Sequence, residues 1–246
     1  MKQTQAIAGQ QKELQPLALQ HVAIIMDGNR RWAAQHHLPK LMGHREGVKA
    51  LKTLVKHAAA RGLKFLTVYA FSSENWSRDK TEVDYLLELL AQVLSTEVEE
   101  LHANNVRLRF LGRLEEMPAE LRKAFESASN RTKDNSGLSL QVAVNYGSRL
   151  EIVDAVKKIA LNVKAGELDI LNIDVDLLSH YLYTGEIPDP DLVIRTGGEM
   201  RLSNYLLWQA AYAELYISEI LWPDFTPEHF EAAVSEFSSR QRRYGT

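Results

Sequence analysis

Asp27 closes the apolar run His-Val-Ala-Ile-Ile-Met at 21–26 and is followed at once by Gly28, Asn29, Arg30, Arg31 and Trp32. An apolar, β-branched run of this kind reads as a buried strand. A carboxylate at the carboxyl end of such a strand stands where open α/β sheets collect ligands. Gly28 lets backbone approach a ligand closely, and Asn29 is a residue type that caps helix starts. The helix predicted to follow offers free N–H groups and positive partial charge beside two guanidinium groups, a combination suited to phosphate. An acid beside a phosphate cradle points to a metal bridging the two. The segment also reads as an ordinary strand–turn–helix with a capping asparagine and two solvated arginines.

Two further junctions repeat the pattern. Val68-Tyr-Ala-Phe71 runs into Ser72, Ser73, Glu74, Asn75, Trp76, Ser77 and Arg78, which supply small donors, a cation and an apolar plate. A surface turn explains the serines and Asn75 equally well, and Trp76 less well. Asp191-Leu-Val-Ile-Arg195 is followed by a Gly-Gly turn, Arg201, Leu202 and Ser203. Two guanidinium forks on a flexible turn suit a pyrophosphate clamp, although a solvated basic loop has the same composition. Ser203 is expected to cap a helix over 203–212. Glu214, between that helix and the next strand, could supply a second carboxylate; as a lone glutamate it reads more readily as structural. His44, expected at the start of a helix after Gly43, could donate to an anion or stand on the surface.

The elements that must position these residues alternate strand and helix. Strands are predicted at 22–26, 65–71, 106–111, 138–145, 192–195 and 215–217, and helices near 43–61, 79–103, 118–134, 148–164, 174–183, 203–212 and 227–242. Apolar strands alternating with helices imply a mostly parallel sheet covered on both faces. No Pro/Gly/Ser-rich linker divides the pattern. The expected fold is therefore a single α/β domain over 19–246, with a mostly parallel six-stranded sheet, behind a flexible tail at 1–18. In the long helix, Val83, Leu86, Leu87, Leu89, Leu90, Val93, Leu94, Val98 and Leu101 form a broad apolar face. That face is either core or one wall of an apolar tunnel. Asp79 with Glu82 and Ser148 with Glu151 have capping-box spacing.

Composition excludes several classes. The 246 residues contain no cysteine and carry a formal charge of −3, which leaves no disulfide or thiolate site and argues against a general nucleic-acid binder. No apolar run is long enough to cross a bilayer, and the first twenty residues lack a signal-peptide core. A cytoplasmic protein is expected, with peripheral contact at the inner face of the membrane left open. Nucleotide-type glycine loops and the Gly-x-Ser-x-Gly elbow are missing, as is the aspartate-rich cluster of the all-helical prenyl synthases.

Taken together, the segments at 21–32, 43–44, 69–78, 144–147 (Val-Asn-Tyr-Gly), 191–199, 201–209, 211–216 and 222–225 resemble the cis-prenyltransferase family, in the family's order and over residues from about 20 to 243. The resemblance implies a homodimer that uses Mg²⁺ and adds isopentenyl diphosphate repeatedly to farnesyl diphosphate. The product implied is undecaprenyl diphosphate, the lipid carrier for peptidoglycan synthesis and hence cell shape. It assigns Asp27 to the metal and Gly28, Asn29, Arg30, Arg31 and Trp32 to an allylic diphosphate cradle, with Lys40, His44 and Arg78 nearby. Ser72, Ser73, Glu74, Asn75 and Trp76 fall in the loop between the substrates, with Asn75 a catalytic candidate. Arg195, Arg201, Leu202 and Ser203 form the isopentenyl diphosphate clamp. Glu214 becomes a second metal ligand reaching from the partner subunit, and Leu138 a size limit at the closed end of the tunnel. The chain departs from the family pattern at Lys40, Ser148, Gly197 and Met200, which removes no catalytic group. A non-catalytic prenyl-binding subunit would be expected to lack Asp27 or the clamp arginines, and both are present. A nucleotide-binding Rossmann-like protein would need the missing fingerprint.

The ending Arg243-Tyr244-Gly245 resembles one that completes the partner's isopentenyl diphosphate site, and it also reads as a frayed basic terminus. Deleting residues 242–246 is expected to raise KM for isopentenyl diphosphate more than KM for farnesyl diphosphate in steady-state assays; unchanged constants for both would return the segment to a simple terminus.

Overall fold

All six apolar runs become strands, and the strands are parallel throughout. A computed structural model describes residues 17–240; the expected tail, except for residues 17 and 18, and the ending at 243–245 lie outside the described residues. The chain runs β1 (His21–Ile25), α1 (Asn29–Gln35), α2 (Lys40–Ala60), β2 (Phe65–Ser72), α3 (Lys80–Ala103), β3 (Arg107–Leu111), α4 (Ala119–Thr132), β4 (Ser139–Tyr146), α5 (Ser148–Ala165), α6 (Val175–Tyr181), β5 (Leu192–Arg195), β6 (Glu214–Ile217) and α7 (Pro227–Ser239). The strand order is β3-β4-β2-β1-β5-β6. The strands are buried on both faces at the centre of the sheet, which is why they read as continuous apolar runs rather than alternating ones. Leu17, the first described residue, is packed against the core.

Alternation along each strand splits the core into two layers. Val22, Ile24, Leu66, Val68, Leu140 and Val142 face a large cluster with α2, α3, α4 and α7. Ala23, Ile25, Ala143, Tyr146, Val193, Tyr205 and Leu206 face a smaller one. The first layer is incompletely filled. Between α2, α3 and the sheet runs a cavity with about 1300 Å³ of empty space, partly open to solvent. Leu86, Leu87, Leu89, Leu90, Val93, Leu94, Val98 and Leu101 of α3 all line it, so the apolar stripe is a tunnel wall.

Several expectations need correction. The segment 203–212 is a series of turns, not a helix; Ser203, Asn204 and Leu206 have positive φ of 49°, 62° and 45°. Its local helical pattern is overridden because Tyr205 and Leu206 are fully buried. Helix α2 begins at Lys40, so His44 sits one turn inside it. Gly43 is not a turn glycine: a Cβ there would lie 2.0 Å from the carbonyl of Asn29, and its absence lets α2 lie against the start of α1. Asn29 does not cap α1. Gly28 is the N-cap, and Asn29 is the first helical residue. Ser148 and Glu151 do not form a capping box either: the Ser148 hydroxyl accepts from the Leu207 amide at 3.0 Å, and Glu151 is buried against Tyr146. Leu138 is buried but is not on the cavity wall; Leu140, one step further along the same face of β4, is.

At the amino end of the sheet, the buried His21 ring joins the Pro188 carbonyl at 2.6 Å and the Thr67 hydroxyl at 2.8 Å. Burial lowers its pKa from 6.5 to about 4, against opposing help from the Pro188 carbonyl and Asp191. A neutral histidine is thus favoured in the folded chain. The unfolded chain takes up its proton below pH 6.5, so stability falls as pH drops from about 6.5 to about 4 by roughly 3 kcal/mol. Urea melts over that range should show a flatter pH dependence in His21→Gln; equal slopes would remove His21 as the cause.

Candidate active site

The carboxyl ends of three adjacent strands, β2, β1 and β5, carry the three junctions singled out in the sequence. Chain order reverses at β1, which pairs with β2 on one side and β5 on the other. Such a switch point opens a crevice at the carboxyl edge. Asp27 and Arg195 meet there. Arg195 Nη2 donates to Asp27 Oδ2 at 2.7 Å, and the arginine side chain is only 5% exposed. Its Nη1 donates to the Ser203 hydroxyl at 2.8 Å and to the Arg201 carbonyl. Ser203 therefore braces Arg195 rather than capping a helix. Arg31 lies 3.3 Å from the other Asp27 oxygen and donates to the Gly197 carbonyl at 2.7 Å. Asp27 remains 30% exposed between the two guanidinium groups.

A second group of charges lies at the cavity mouth. Glu82, nearly buried at the start of α3, accepts from Arg78 at 2.9 Å and lies 3.6 Å from His44 and 4.0 Å from Arg30. Burial depresses the His44 pKa; Glu82 opposes this, while Arg78 and Arg30 add to it. The Glu82 carboxylate therefore gathers three cationic or donor side chains from α1, α2 and the 72–78 loop. Spacing alone had marked it as half of a capping box. Asp79 does cap α3, but by accepting from the Thr81 amide at 2.9 Å. Asn29 Oδ1 and His44 Nε2 are buried polar atoms with no hydrogen-bond partner among the described residues, and both residues line the cavity. Groups of that kind await a ligand or water.

The 72–78 loop is a tight turn built by its own polar side chains. Ser72 and Asn75 form a reciprocal cap, with Asn75 Oδ1 accepting from the Ser72 amide at 3.1 Å. Trp76 is 42% exposed, packs edge-on to Phe71 at 5.2 Å and donates its indole N–H to Asn145 at 2.8 Å. Phe71 also lines the cavity, so the loop sits at the join of charged edge and apolar space. Trp32 is turned away to Asp224, at 2.7 Å. Lys40 is exposed at the first turn of α2, and Met200 is 85% exposed. Leu202 is half-buried beside Arg195 and Arg201, while Arg201 itself pairs with Glu199.

Glu214 is the residue the fold does not bring in. It opens β6 opposite Leu192, whereas Arg195 pairs with Ile217 at the other end of the strand. Its carboxylate accepts from Arg240 at 2.8 Å. The parallel direction of β6 places Glu214 at the amino edge of its own sheet, at the other end from Arg195.

The chain is similar to known proteins over most of its length. The Prenyltransf family model, described as "Putative undecaprenyl diphosphate synthase", matches residues 25–245. An isoprenyl transferase of Clostridium perfringens is 50% identical over 92% of this chain and 89% of its own length. One from Bacillus subtilis is 49% identical over 92% and 87%. Among solved structures, lavandulyl diphosphate synthase from Lavandula x intermedia, in complex with dimethylallyl diphosphate, superposes with a TM-score of 0.90 at 36% identity, covering 93% of this chain and 98% of that one. A structure described as a probable undecaprenyl diphosphate synthase from Campylobacter jejuni gives 0.77 at 35% identity, covering 93% and 99%.

Glu82→Gln keeps the shape but withdraws the charge that holds Arg30, Arg78 and His44 together. Losing one charge-assisted partner costs roughly 1.5–3 kcal/mol. Calorimetric titration with inorganic diphosphate is expected to show binding weakened about tenfold or more; an unchanged Kd would mean that Glu82 serves only the fold.

Proposed function

The chain belongs to the prenyltransferase family of undecaprenyl diphosphate synthases and isoprenyl transferases, and on that premise we propose that it is a cis-prenyltransferase. It lengthens farnesyl diphosphate by repeated addition of isopentenyl diphosphate to give undecaprenyl diphosphate for cell-wall synthesis. The observation that carries this reading is the join between an anion-binding edge and a deep apolar cavity. Asn29, His44 and Trp222 line the cavity at the charged end, and Val106, Leu108 and Leu140 line it far down the sheet. A diphosphate with a growing hydrocarbon tail has this division of chemistry.

In the proposed cycle, the N-terminus of α1 with Arg30, Arg31, His44 and Arg78 holds the allylic diphosphate. Arg195, Arg201 and Ser203 hold isopentenyl diphosphate. The allylic C–O bond breaks, the isopentenyl double bond attacks the allylic carbon, and one proton is lost. Guanidinium groups and helix N–H groups fixed before the reaction stabilise charge on the departing diphosphate. Apolar walls keep water from the allylic cation. Asn75 is a neutral amide and a poor base; it shapes the 72–78 turn so that a substrate diphosphate oxygen lies near the proton to be removed.

The donor set fits Mg²⁺ carried in with the substrate. Asp27 offers one half-exposed carboxylate, and no group of three or more His, Asp or Glu side chains that could hold a metal occurs among the described residues. Mg²⁺ is commonly held by one or two carboxylates plus substrate phosphates. When bound at Asp27 it would act as a Lewis acid on the leaving diphosphate. The ion pair between Asp27 and Arg195 must then yield or be shared as substrate arrives. Glu214 can contribute only from a second copy, which the proposed homodimer provides. Leu215 is 43% exposed on the open edge strand β6, a surface that pairing between copies would cover. No helix among the described residues is long and apolar enough to cross a membrane; the product is proposed to leave by peripheral contact with one.

Incubation with farnesyl diphosphate and labelled isopentenyl diphosphate, followed by mass analysis, tests the activity and sizes the product. Asp27→Ala should keep the secondary structure, at a stability cost of roughly 3–5 kcal/mol from leaving Arg195 without its carboxylate, and lower turnover by more than the roughly 10²–10³ of one lost electrostatic donor. Near-normal turnover in metal-buffered assays would sink the assignment.

A further inference from the structure

Asn204 belongs to neither diphosphate group, yet it touches the segments that carry both. Its backbone is left-handed, with φ of 62°. Its carbonyl accepts from the Ser148 amide at 2.8 Å, and its Oδ1 accepts from the Arg149 amide at 2.9 Å. These two bonds dock it on the start of α5. The remaining amide donor, Nδ2, is thereby aimed at Glu74 Oε1, 2.7 Å away in the 72–78 loop. Burial is the largest single influence on the Glu74 pKa and raises it, but the hydrogen bond from Asn204, joined by those from its own backbone amide, Ser72 and Ser73, brings the net value below the ordinary one. Gly147 lies beneath this joint. Its φ is ordinary extended backbone, but a Cβ there would sit 2.5 Å from Ser73 Oγ and 2.7 Å from Asn204 Nδ2. The close approach of the two loops is therefore built into the end of β4.

We propose that Asn204 is a positioning residue that ties the Arg195–Ser203 clamp to the 72–78 loop and so fixes the distance between the two substrates. A continuous polar path supports this. Asp27 accepts from Arg195, Arg195 donates to Ser203, Ser203 precedes Asn204, and Asn204 donates to Glu74. Attack by one substrate on the other requires alignment at close range, and misplacement by about 1 Å can cost roughly 10²-fold in rate. The inference rests on the prenyl-transfer reading above.

Asn204→Asp tests it cleanly. Aspartate tolerates left-handed backbone and can still accept from Arg149, but it sets a carboxylate against Glu74. The second change Glu74→Gln restores a donor across the joint. The single variant is expected to lower kcat and raise KM for isopentenyl diphosphate, each about tenfold, the scale of one lost charge-assisted hydrogen bond. KM for farnesyl diphosphate should stay within about twofold, and the Asn204→Asp/Glu74→Gln pair should recover most of the loss. Gly147→Ala, which wedges the same joint, should reproduce the single variant's pattern. Single and double variants that are equally impaired, or a single variant like the wild type, would overturn the proposal. An inactive wild-type chain would instead strike the prenyl-transfer reading itself, so the two failures are distinguishable.

Discussion

The ion pair between Asp27 and Arg195 is the contact on which the rest of the site depends. It joins the ends of two neighbouring parallel strands at the point where the sheet changes direction. Parallel strands bring all their carboxyl ends to one edge, and each brings the start of a new connection with it. A nearly buried arginine cannot be left without partners, since breaking such a pair from one side costs roughly 3–5 kcal/mol. Arg195 meets most of that requirement with a carboxylate, a hydroxyl and a carbonyl, while its Nε is a buried donor with no hydrogen-bond partner among the described residues. Those partners in turn fix where the 196–203 loop must run. The same constraint keeps a carboxylate and two arginines together in an otherwise apolar framework.

The second organising constraint is that one face of the sheet is left partly unfilled. A core of this size would ordinarily close to crystal-like density. Here α2 and α3 stand apart over the sheet, and mostly apolar side chains line the gap between them. Lys52 and Lys56 reach from α2 to Glu97 and Glu100 of α3 at 2.5–2.7 Å. These exposed pairs brace the opening without filling it, and each adds little stability. The fold thus retains an apolar void directly below a charged edge. Burial is complete elsewhere: Phe225 and Phe230 in the same layer, and Tyr146 and Tyr205 in the other.

Those tyrosines explain how an irregular segment can be held as firmly as a helix. Tyr205 stacks on Tyr69 at 4.5 Å, and Tyr69 donates to the Tyr146 carbonyl at 3.1 Å. Tyr146 donates to Glu151 at 2.5 Å, and the same carboxylate takes the Tyr183 amide at 2.9 Å and Gln209 Nε2 at 3.2 Å. Burial raises the pKa of Glu151, and its hydrogen-bond donors pull the other way. One acid collects donors from β4, the 182–184 turn and the 203–209 segment. The positive-φ residues at 203, 204 and 206 are held by this packing, and the loop that carries the clamp rests on it.

The sequence by itself determined the six strands, their mostly parallel arrangement and the broad apolar face of α3, and it marked the three strand-end junctions as candidates; whether that face is core or cavity wall was left to the fold. These are local or periodic signals: β-branched runs, apolar spacing of 3.6 residues, and charged or glycine-rich residues directly after a strand. The tertiary structure decided what depends on distant partners. Residues 203–212 have a helix-like pattern, but burial of Tyr205 and Leu206 requires turns. Glu82 has the spacing of a cap, yet arginines from two other segments claim it. Glu214 stands just before the strand expected at 215–217, but that Arg240 takes its carboxylate emerges only from the folded chain. Asn204 carries no signal in its neighbours, because its three contacts lie about 55 and 130 residues away, and only the folded chain brings them together.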